Sequence, residues 1–600
     1  MKSNAIILIC ISMLFSLVVE GNASKSWIRV NQLGYIPKGV KVAVYASKND
    51  ESVSGFELVD AKSGKTVFKR DAGKNYGAYG PFTTSYRLDF SDHKTAGVYY
   101  VKAGQARSGE FTISEDAYKG TADFLLRYMR QQRSGYNPFL KDSCHTKDGY
   151  TVYGPMPDGT YVDVSGGWHD ATDYLQYSTT SANATYHLLA AYRDFPAVFS
   201  DQHLANGLEG TNGMADVLDE GVWGLQWLLK MHPQDDWMFN QLADDRDHIG
   251  FRLPTNDPAD FGYGPGNGRP VYFISGTVQG LGKHKNRATG AASTAGKFAS
   301  AFALGSEVLK RDAAFAAKLR IKALSAYKFG AAKPGVAQTA PMKARYFYEE
   351  DNWVDDMELG AAAIYQVTGN KQYLAEALQF AEKEKVTPWI GADTAVHYQW
   401  YPFHNFGHYE LAKVVEKKNK ADLIGYYRDG IEKVWKKAAG NAFHRGIPFI
   451  WCSNNLTTSF AIQCYLYRKL SGDETYLKLE QACFDWLFGC NPWGTSMVFG
   501  LPANGDTPVD PHSSYTVLHQ YPLDGGLVDG PVSGHIFNSL LGLTLINKDE
   551  YEEFQSMLAV YHDDYGDYST NEPTMDGTAA LVYLMAAKET DSREGGRKKK

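Results

Sequence analysis

Residues 114–129, SEDAYKGTADFLLRYM, mark the place where the chain changes from a strand-like to a helix-like periodicity. The apolar residues of this stretch fall at i, i+4, i+7, i+8 and i+11, the spacing of one helical face. They are Tyr118, Ala122, Leu125, Leu126 and Met129. The change of period predicts two domains of different class that meet just after residue 114.

Upstream of this boundary, apolar and polar residues alternate in short runs that are separated by turn residues. Examples are residues 41–45 (KVAVY), 86–90 (YRLDF) and 98–101 (VYYV). Short runs of period two with turns between them are typical of antiparallel sandwiches. We therefore predict a small β-sandwich over residues 26–114.

Downstream, helical patterns recur to the end of the chain, and no convincing strand series interrupts them. The clearest patterns lie at residues 214–231, 288–309, 357–365, 423–437, 457–470, 476–487 and 575–586. We expect an all-α domain over residues 117–590. Because a single layer of helices cannot bury so much apolar surface, the expected architecture is a closed double ring of helical hairpins. The loops at one end of the ring would form a groove.

The composition is that of a folded globular protein, with 44% apolar and 22% charged residues. Acidic residues exceed basic ones only slightly, 68 against 61. The sequence therefore offers no large cationic face, and we expect no nucleic-acid partner. Aromatic residues make up 14% of the chain, which is more than a core requires and suits stacking on sugar rings.

The N-terminus has the features of a secretory signal peptide over residues 1–23. Lys2 precedes an apolar run at residues 5–19, and small residues suit cleavage after Ala23. A membrane anchor is the alternative, but about 15 apolar residues are too few to span a bilayer comfortably. The mature chain has no other long apolar stretch, so we expect no membrane span and an exported, periplasmic or secreted protein. We also expect a monomer.

The C-terminal residues 591–600, DSREGGRKKK, form a polar and basic tail with nothing to bury, and we expect them to be disordered. Removal of the signal peptide would leave five cysteines. An odd number in an exported protein implies at least one free thiol or a metal ligand.

An ordered series of motifs runs through both domains. It consists of residues 28–35 (IRVNQLGY), 166–173 (GGWHDATD), 216–220 (DVLDE), 485–494 (DWLFGCNPWG), 510–512 (DPH) and 568–573 (YSTNEP). The series resembles glycoside hydrolase family 9, a cellulase family in which an immunoglobulin-like domain precedes the catalytic domain. The resemblance implies an all-α (α/α)6 barrel behind an immunoglobulin-like β-sandwich. It also implies hydrolysis of β-linked glucans with inversion.

Inversion at a glycosidic bond needs two carboxyl groups in opposite protonation states, one to protonate the leaving oxygen and one to accept a proton from water. Asp170 and Asp173 lie three residues apart in the GGWHDATD motif and can converge on one water. The resemblance makes Asp173 the general base and Asp170 its supporting carboxylate. It makes Glu572 the general acid, whose pKa must be raised for this role.

Each of these carboxyls also has a purely structural interpretation. Paired aspartates in a glycine-rich loop could form a calcium site or a helix cap. Glu572 could cap a helix N-terminus, which would lower its pKa instead of raising it. The other motifs of the series favour the catalytic interpretation.

Six further residues are candidates for binding the sugar. Trp400, Trp451, Trp493 and Tyr515 stand in loop-like stretches beside polar residues, so their rings could stack on pyranose faces. For each of these rings, a place in the core is an equal alternative. His512 matches the family histidine that hydrogen-bonds the sugar near the cleaved bond. His169, inside the catalytic motif, has an equally strong structural alternative.

Three features depart from the family pattern. After His512 the chain lacks the second histidine and the arginine that hold the sugar in many members, which puts the usual cellulose contacts in doubt. Thr172 replaces the central glycine of the catalytic loop and reduces its conformational freedom. Some members bind zinc through cysteine and histidine pairs, but Ser134 here replaces the partner of Cys144-His145.

A tetrahedral zinc site needs four ligands, and the sequence offers two in register. We therefore predict no metal there and no required cofactor. Structural calcium stays open because Asp-rich stretches such as residues 244–247 (DDRD) exist, although we favour solvated charge for that stretch.

The sequence thus predicts an inverting hydrolase of β-1,4-glucosidic bonds in glucans, with xyloglucan and mixed-linkage glucan among the candidate substrates. The altered histidine loop leaves room for an exo-acting β-glucosidase or cellobiosidase of the same family. A non-catalytic glycan-binding protein of this fold is a rival, and the retention of three carboxyls argues against it. A polysaccharide lyase on a similar helical toroid would need a Tyr or His base and an acidic sugar.

Overall fold

The computed structural model describes residues 25–343, 348–390, 399–404 and 406–597. The predicted signal peptide, residues 1–23, lies outside these ranges. Both predicted domains are present, since an immunoglobulin-like β-sandwich is followed by an (α/α)6 barrel. Within the described ranges, no helix combines the length and the apolar character that a membrane crossing requires.

The sandwich is formed by two antiparallel sheets. One sheet has the strand order β1-β2-β5, and the other has the order β4-β3-β6-β7 with β8 paired to β6. The strands are β1 (Ser26–Arg29), β2 (Val42–Ser47), β3 (Gly55–Asp60), β4 (Thr66–Asp71), β5 (Thr84–Asp89), β6 (Gly97–Ala103), β7 (Ala106–Arg107) and β8 (Phe111–Ile113). Residues that alternate inward, such as Phe56 and Leu58, fill a core between the sheets.

Among the described residues, six helices form a closed inner ring in which each helix contacts the next and the last contacts the first. In ring order these are α2 (Ser178–Asp194), α4 (Ala292–Val308), α6 (Val354–Thr368), α8 (Gly407–Ala412), α10 (Ser453–Ser471) and α14 (Met575–Arg597). The outer helices precede them along the chain: α1 (Thr121–Gln131), α3 (Asp216–Met231), α5 (Ala313–Ala332), α7 (Lys371–Glu384), α9 (Lys417–Ala438) and α11 (Leu477–Leu487). The short helices α12 (Ser514–His519) and α13 (Gly534–Phe537) lie in the connection between α11 and α14.

The inner helices contain many small residues because other helices pack against all of their faces. Helix α4 has the sequence ASTAGKFASAFALGSEV and is buried along nearly its whole length. A Cβ at Gly296 on this helix would lie 2.6 Å from the carbonyl carbon of Asp356 on α6, so only glycine permits the approach. A helix that is buried all round has little amphipathic periodicity.

The barrel domain also contains two small sheets, which the sequence analysis did not expect. Their strands are β9 (Gly135–Asn137) and β10 (Asp142–Cys144) in one sheet, and β11 (Tyr150–Val152), β12 (Gln176–Tyr177), β13 (Phe239–Leu242) and β14 (Pro270–Phe273) in the other. Each strand has two to four residues. Such lengths are too short for an alternating pattern to be visible in the sequence.

The C-terminal tail differs from the expectation of disorder from residue 591. Helix α14 continues to Arg597. Asp591 accepts a hydrogen bond from Arg468 Nη2 at 2.6 Å, and the neighbouring Ser592 is buried. The side chains of Asp591 and Ser592 therefore bond to the folded chain instead of facing solvent.

The sandwich docks on the barrel through the first and fourth motifs of the family series. Asn31 Nδ2 donates a hydrogen bond to Asp485 Oδ1 at 2.8 Å, and both residues are buried. The N–H of Gln32 donates to the C=O of Phe488, also at 2.8 Å. The two motifs are therefore the two sides of one domain interface.

Asn31→Ala should lower the thermal unfolding midpoint, because it removes one donor from the buried Asp485 carboxyl. Gln481 Nε2, at 2.7 Å, is the donor that remains. Loss of a partner at a buried polar group costs about 1–3 kcal/mol. Calorimetry would measure the change, with Asn49→Ala as a control at an exposed position. Equal midpoints for the two variants would contradict the importance of this bond.

Candidate active site

Distant segments of the barrel domain meet where the inner ring closes. The loop before α2 carries Asp170 and Asp173, and the segment before α14 carries Glu572. The N–H of Met575 donates to the C=O of Asp170 at 2.9 Å. The N–H of Thr172 donates to Glu572 Oε1 at 3.0 Å. The structure therefore brings the three predicted catalytic carboxyls into one cluster.

Glu572 has the protonation behaviour that a general acid needs. Burial, followed by the charge of Asp173, raises the pKa of Glu572 to about 8. A carboxyl with this pKa is protonated at neutral pH and can give its proton to a leaving group. The direction of the shift is opposite to the one that a helix cap would produce.

Asp170 is buried, and side chains of the protein bind both of its carboxylate oxygens. Thr180 Oγ1 donates to Oδ1 and the Tyr348 hydroxyl donates to Oδ2, each at 2.6 Å. Burial, followed by the charges of Asp576 and Asp173, raises the pKa of Asp170 well above its usual range. These contacts fit a supporting carboxyl better than a group that acts on water by itself.

Asp173 is more accessible than Asp170, and it has a histidine beside it. Its side chain is 10% exposed, and its Oδ2 lies 3.7 Å from His248 Nε2. Burial lowers the pKa of His248, but the neighbouring Asp173 carboxylate outweighs burial and raises the pKa to about 9. His248 therefore carries a positive charge next to Asp173 at neutral pH. No motif in the sequence pointed to His248.

The loop that carries His248 is held by buried acidic side chains. Asp247 Oδ2 accepts the N–H of Tyr174 at 2.6 Å, and Asp247 Oδ1 lies 2.7 Å from Arg252 Nη2. Asp244 is also fully buried. The expectation that this acidic stretch is solvated charge was wrong, because its carboxylates bond to arginine and to the backbone of the catalytic loop.

Four rings form an aromatic strip next to the catalytic loop: Phe251, His512, Tyr568 and Trp451. Successive ring centroids lie 5.0, 6.1 and 6.1 Å apart, and the last two ring planes differ by 20°. Each ring is partly exposed. The C=O of His512 accepts a hydrogen bond from Thr172 Oγ1 in the catalytic loop, which fixes one part of the strip beside the carboxyls.

The aromatic strip offers apolar faces on which pyranose rings can stack. His512 and Trp451 thus lie where a sugar contact requires, and their role in binding stays a prediction. The sequence analysis did not propose Phe251 or Tyr568 as sugar contacts. Tyr568 opens the YSTNEP motif, so its position before Glu572 was the available signal.

Two of the four aromatic residues predicted to contact the sugar were wrong. Trp493 is 2% exposed, and its ring packs in the core against Trp486 while Nε1 donates to Gln555 Oε1 at 3.1 Å. Tyr515 is 3% exposed, and its hydroxyl donates to the C=O of Gln131 at 3.2 Å. Neither ring keeps a face that a sugar can reach.

Trp400 is half-buried and packs on the main core. Its neighbour Tyr401 donates a hydrogen bond to Asp576, whose charge acts on Asp170. Trp400 thus stands one residue from the network around the catalytic carboxyls. Its role in sugar binding stays a prediction.

His169 was also wrong as a sugar contact, because it is fully buried. Its Nε2 lies 3.0 Å from His145 Nδ1. One ring nitrogen of each histidine and Cys144 Sγ lie within 4.8 Å of one another. Ser134, also buried, replaces a fourth protein ligand. The set supplies three of the four ligands of a closed zinc site, so a structural zinc does not fit it. The predicted lack of metal stays a prediction.

Asp355, Asp356 and His404 form a second group with donor atoms within 4.8 Å. Lys297 Nζ lies 2.7 Å from Asp356 Oδ2 and 2.5 Å from Glu350 Oε1. The lysine therefore supplies a positive charge inside this buried acidic cluster.

Two family models match the chain. The model of glycosyl hydrolase family 9 covers residues 118–585, and that of the cellulase N-terminal Ig-like domain covers residues 23–108. The chain belongs to glycosyl hydrolase family 9. The family resemblance drawn from the motifs is thereby confirmed, and the protein is a glycoside hydrolase.

Several family 9 proteins are similar over nearly the full length. A cellodextrinase of Butyrivibrio fibrisolvens is 26% identical, with 93% of this chain and 99% of that protein covered. The xyloglucan-specific endo-beta-1,4-glucanase BoGH9A of Bacteroides ovatus is 26% identical, with 93% of each covered. The crystal structure of a metagenome-derived family 9 endoglucanase has a TM-score of 0.73 at 26% identity, with 94% of this chain and 99% of that chain covered.

In this family 9 site, the Glu572 carboxyl, whose pKa is raised to about 8, bonds to the N–H of Thr172, and Asp173 is the next residue of the same loop. The first can protonate a glycosidic oxygen, and the second can accept a proton from water. The aromatic strip lies beside them and can hold a sugar chain. Hydrolysis by such a pair uses no cofactor.

Asp173→Asn should lower the pKa of His248 from about 9, because it removes the charge that outweighs burial. NMR titration of ¹³C-labelled histidines would measure the shift, with His248→Gln to assign the signal. Asp235→Asn, at an exposed carboxyl, is the control. A His248 signal that titrates alike in wild type and Asp173→Asn would contradict the pairing.

Proposed function

We propose that this protein is an inverting hydrolase of β-1,4-glucosidic bonds in glucans. Glu572 is the general acid, Asp173 the general base and Asp170 the supporting carboxyl. The observation that carries the proposal is the hydrogen bond from the N–H of Thr172 to Glu572 Oε1. This bond supports the proposal because it holds the Glu572 carboxyl against the loop that carries Asp173.

In the proposed reaction, Glu572 gives its proton to the glycosidic oxygen as the bond to the anomeric carbon breaks. A water attacks that carbon from the opposite face and loses a proton to Asp173. Room for this water corresponds to a separation of about 6.5–9.5 Å between the two carboxyls in inverting enzymes. Asp170, held by Thr180 and Tyr348, supports the loop that presents Asp173.

A glucan chain is the substrate that the aromatic strip supports best. The strip spans four rings, more than a single sugar needs. A cavity of about 740 Å³, lined by Trp451, Phe449, Ile536 and Leu540 among others, extends from its Trp451 end. Internal cleavage of a longer chain is therefore the favoured action. The similarity to a cellodextrinase keeps shorter, exo-cleaved oligosaccharides as the second candidate.

Glu572→Gln should lower kcat on a β-glucan by about 10³-fold or more, because the leaving oxygen then receives no proton. The loss should be much smaller on dinitrophenyl β-cellobioside, whose leaving group needs no proton. Steady-state kinetics on both substrates would measure the difference, with the exposed Glu209→Gln as control. Equal losses on the two substrates would exclude Glu572 as the acid.

Asp173→Asn should lower kcat on both substrates alike, because water activation is common to them. Azide should partly restore activity and give an α-configured glycosyl azide. In the wild-type enzyme, proton NMR of the first product should show the α-anomer from a β-linked substrate. A β-anomer formed first would rule out inversion.

We also propose that the protein is exported and acts as a monomer. The support for export is the signal-peptide pattern of residues 1–23, with cleavage after Ala23. N-terminal sequencing of the mature protein should begin at Ser24, and light scattering after gel filtration should give the mass of one chain.

A further inference from the structure

A second carboxyl lies directly opposite the proposed general acid. Residues 527–530 run antiparallel to residues 570–574, with Val528 paired to Pro573. The N–H of Asp529 donates to the C=O of Glu572 at 2.8 Å. This register places Asp529 and Glu572 across from each other. Directly opposed residues of an antiparallel pair carry their side chains on the same face, with Cβ atoms about 5 Å apart.

The surroundings of Asp529 do not provide a cation. Asp529 is 4% exposed, and its Oδ1 accepts a hydrogen bond from the Cys452 thiol at 3.3 Å. None of the ion pairs recorded among the described residues involves Asp529. A buried carboxylate without a cation, facing a second carboxyl, is strongly disfavoured.

The other titratable groups around the pair are mostly acidic. Asp170 faces it from the catalytic loop, Asp576 from α14, and Tyr128 from α1. The charges of Asp173 and His248 also act on Glu572, and the Cys452 thiol bonds to Asp529. Burial, followed by the charge of Glu572, raises the pKa of Asp529 well above its usual range. Two opposed carboxyls in such a place titrate as a pair and hold on to at least one proton.

We propose that Asp529 is a positioning residue that acts through Glu572, holding a second proton beside the acid and passing it on when Glu572 has given up its own. The proposal rests on the role of Glu572 in the proposed function. The general acid then works with a second carboxyl, that of Asp529, instead of alone.

The proton balance of the step is simple. The O–H bond of Glu572 breaks as the leaving oxygen gains a proton, and Glu572 becomes a carboxylate. The carboxyl O–H of Asp529 then breaks, its proton passes to Glu572, and Asp529 becomes the carboxylate. Solvent water then returns one proton to the pair through Glu572, which is partly exposed, before the next turnover. Asp173 separately takes the proton of the attacking water and releases it to solvent.

The pair extends activity to higher pH. When the first proton of the pair is lost, the remaining proton is shared, and a fraction of the molecules still has Glu572 protonated. A neutral side chain at position 529 leaves Glu572 with its own proton only. The alkaline limb of the pH profile should then begin at a lower pH.

Asp529→Asn keeps the size and the neutral charge of the protonated aspartate but cannot supply a proton. The alkaline limb of kcat/KM should move down by about one pH unit or more, with the acid limb unchanged. Asp524→Asn is the matched control. Asp524 lies five residues before Asp529, is partly exposed and pairs with Arg127, so its variant should leave both limbs in place. If the pH profile of Asp529→Asn had the same two limbs as that of the wild type, the proposal would be overturned, and Asp529 would be a packing residue only.

A second measurement covers the case in which Asp529→Asn folds poorly. Infrared spectra of Glu572→Gln at neutral pH should contain the C=O band of a protonated carboxyl that is missing from Glu572→Gln/Asp529→Asn. Identical carboxyl bands in these two proteins would overturn the proposal. A wild-type enzyme that cleaves no β-glucan would refute the proposed function alone, because the infrared result does not depend on turnover.

Discussion

The hydrogen bond from the N–H of Thr172 to Glu572 Oε1 joins two segments 400 residues apart, and the site depends on it. It exists because the last inner helix, α14, closes the ring against α2. The N–H of Met575, at the start of α14, donates to the C=O of Asp170 and fixes the same junction. Closure of the ring of six inner helices thus brings residues from the two ends of a long domain together in one catalytic centre.

Closure of the ring also decides the charge state of the site. Burial raises the pKa of Glu572 to about 8, while Asp173 has the cationic His248 at its side. The folded chain therefore binds a proton at Glu572 that the unfolded chain releases above about pH 4. Stability contributed by this proton is full below that pH and declines as the pH rises toward 8. The raised pKa that keeps Glu572 protonated therefore lowers the free energy of unfolding near neutral pH.

The class of each domain was predictable from sequence because hydrophobic periodicity reports it. The meeting of the three carboxyls was implied by the resemblance of the ordered motifs to glycoside hydrolase family 9. Helix α2 carries no amphipathic signal, since it is buried all round. The sequence did not show which of the aromatic residues in loops face the cleft. A ring next to polar residues can face either the cleft or the core. Trp493 faces the core, Trp451 is partly exposed, and local sequence does not distinguish the two.

His248 shows a different limit of sequence reasoning. Its acidic neighbours were interpreted as solvated charge, yet Asp247 is fully buried and bonds to the N–H of Tyr174 beside the base. A run of charged residues in a chain is usually a solvated face, and only the fold reveals the exceptions. Buried charges of this kind are expected near functional sites, where pKa values must be shifted.

The sandwich domain contributes to the site through a line of contacts, although it lies outside the barrel. Trp27 packs edge-on against Phe554 with ring centroids 5.1 Å apart, and the next residue, Gln555, bonds to the C=O of Tyr561. The Tyr561 hydroxyl donates at 3.2 Å to Asn571 Oδ1, the side chain before Glu572. The segment that presents the acid is thus supported on one side by the inner ring and on the other by a loop that the sandwich covers. The first motif, residues 28–35, docks the sandwich on the barrel. It therefore helps to support the segment that carries Glu572.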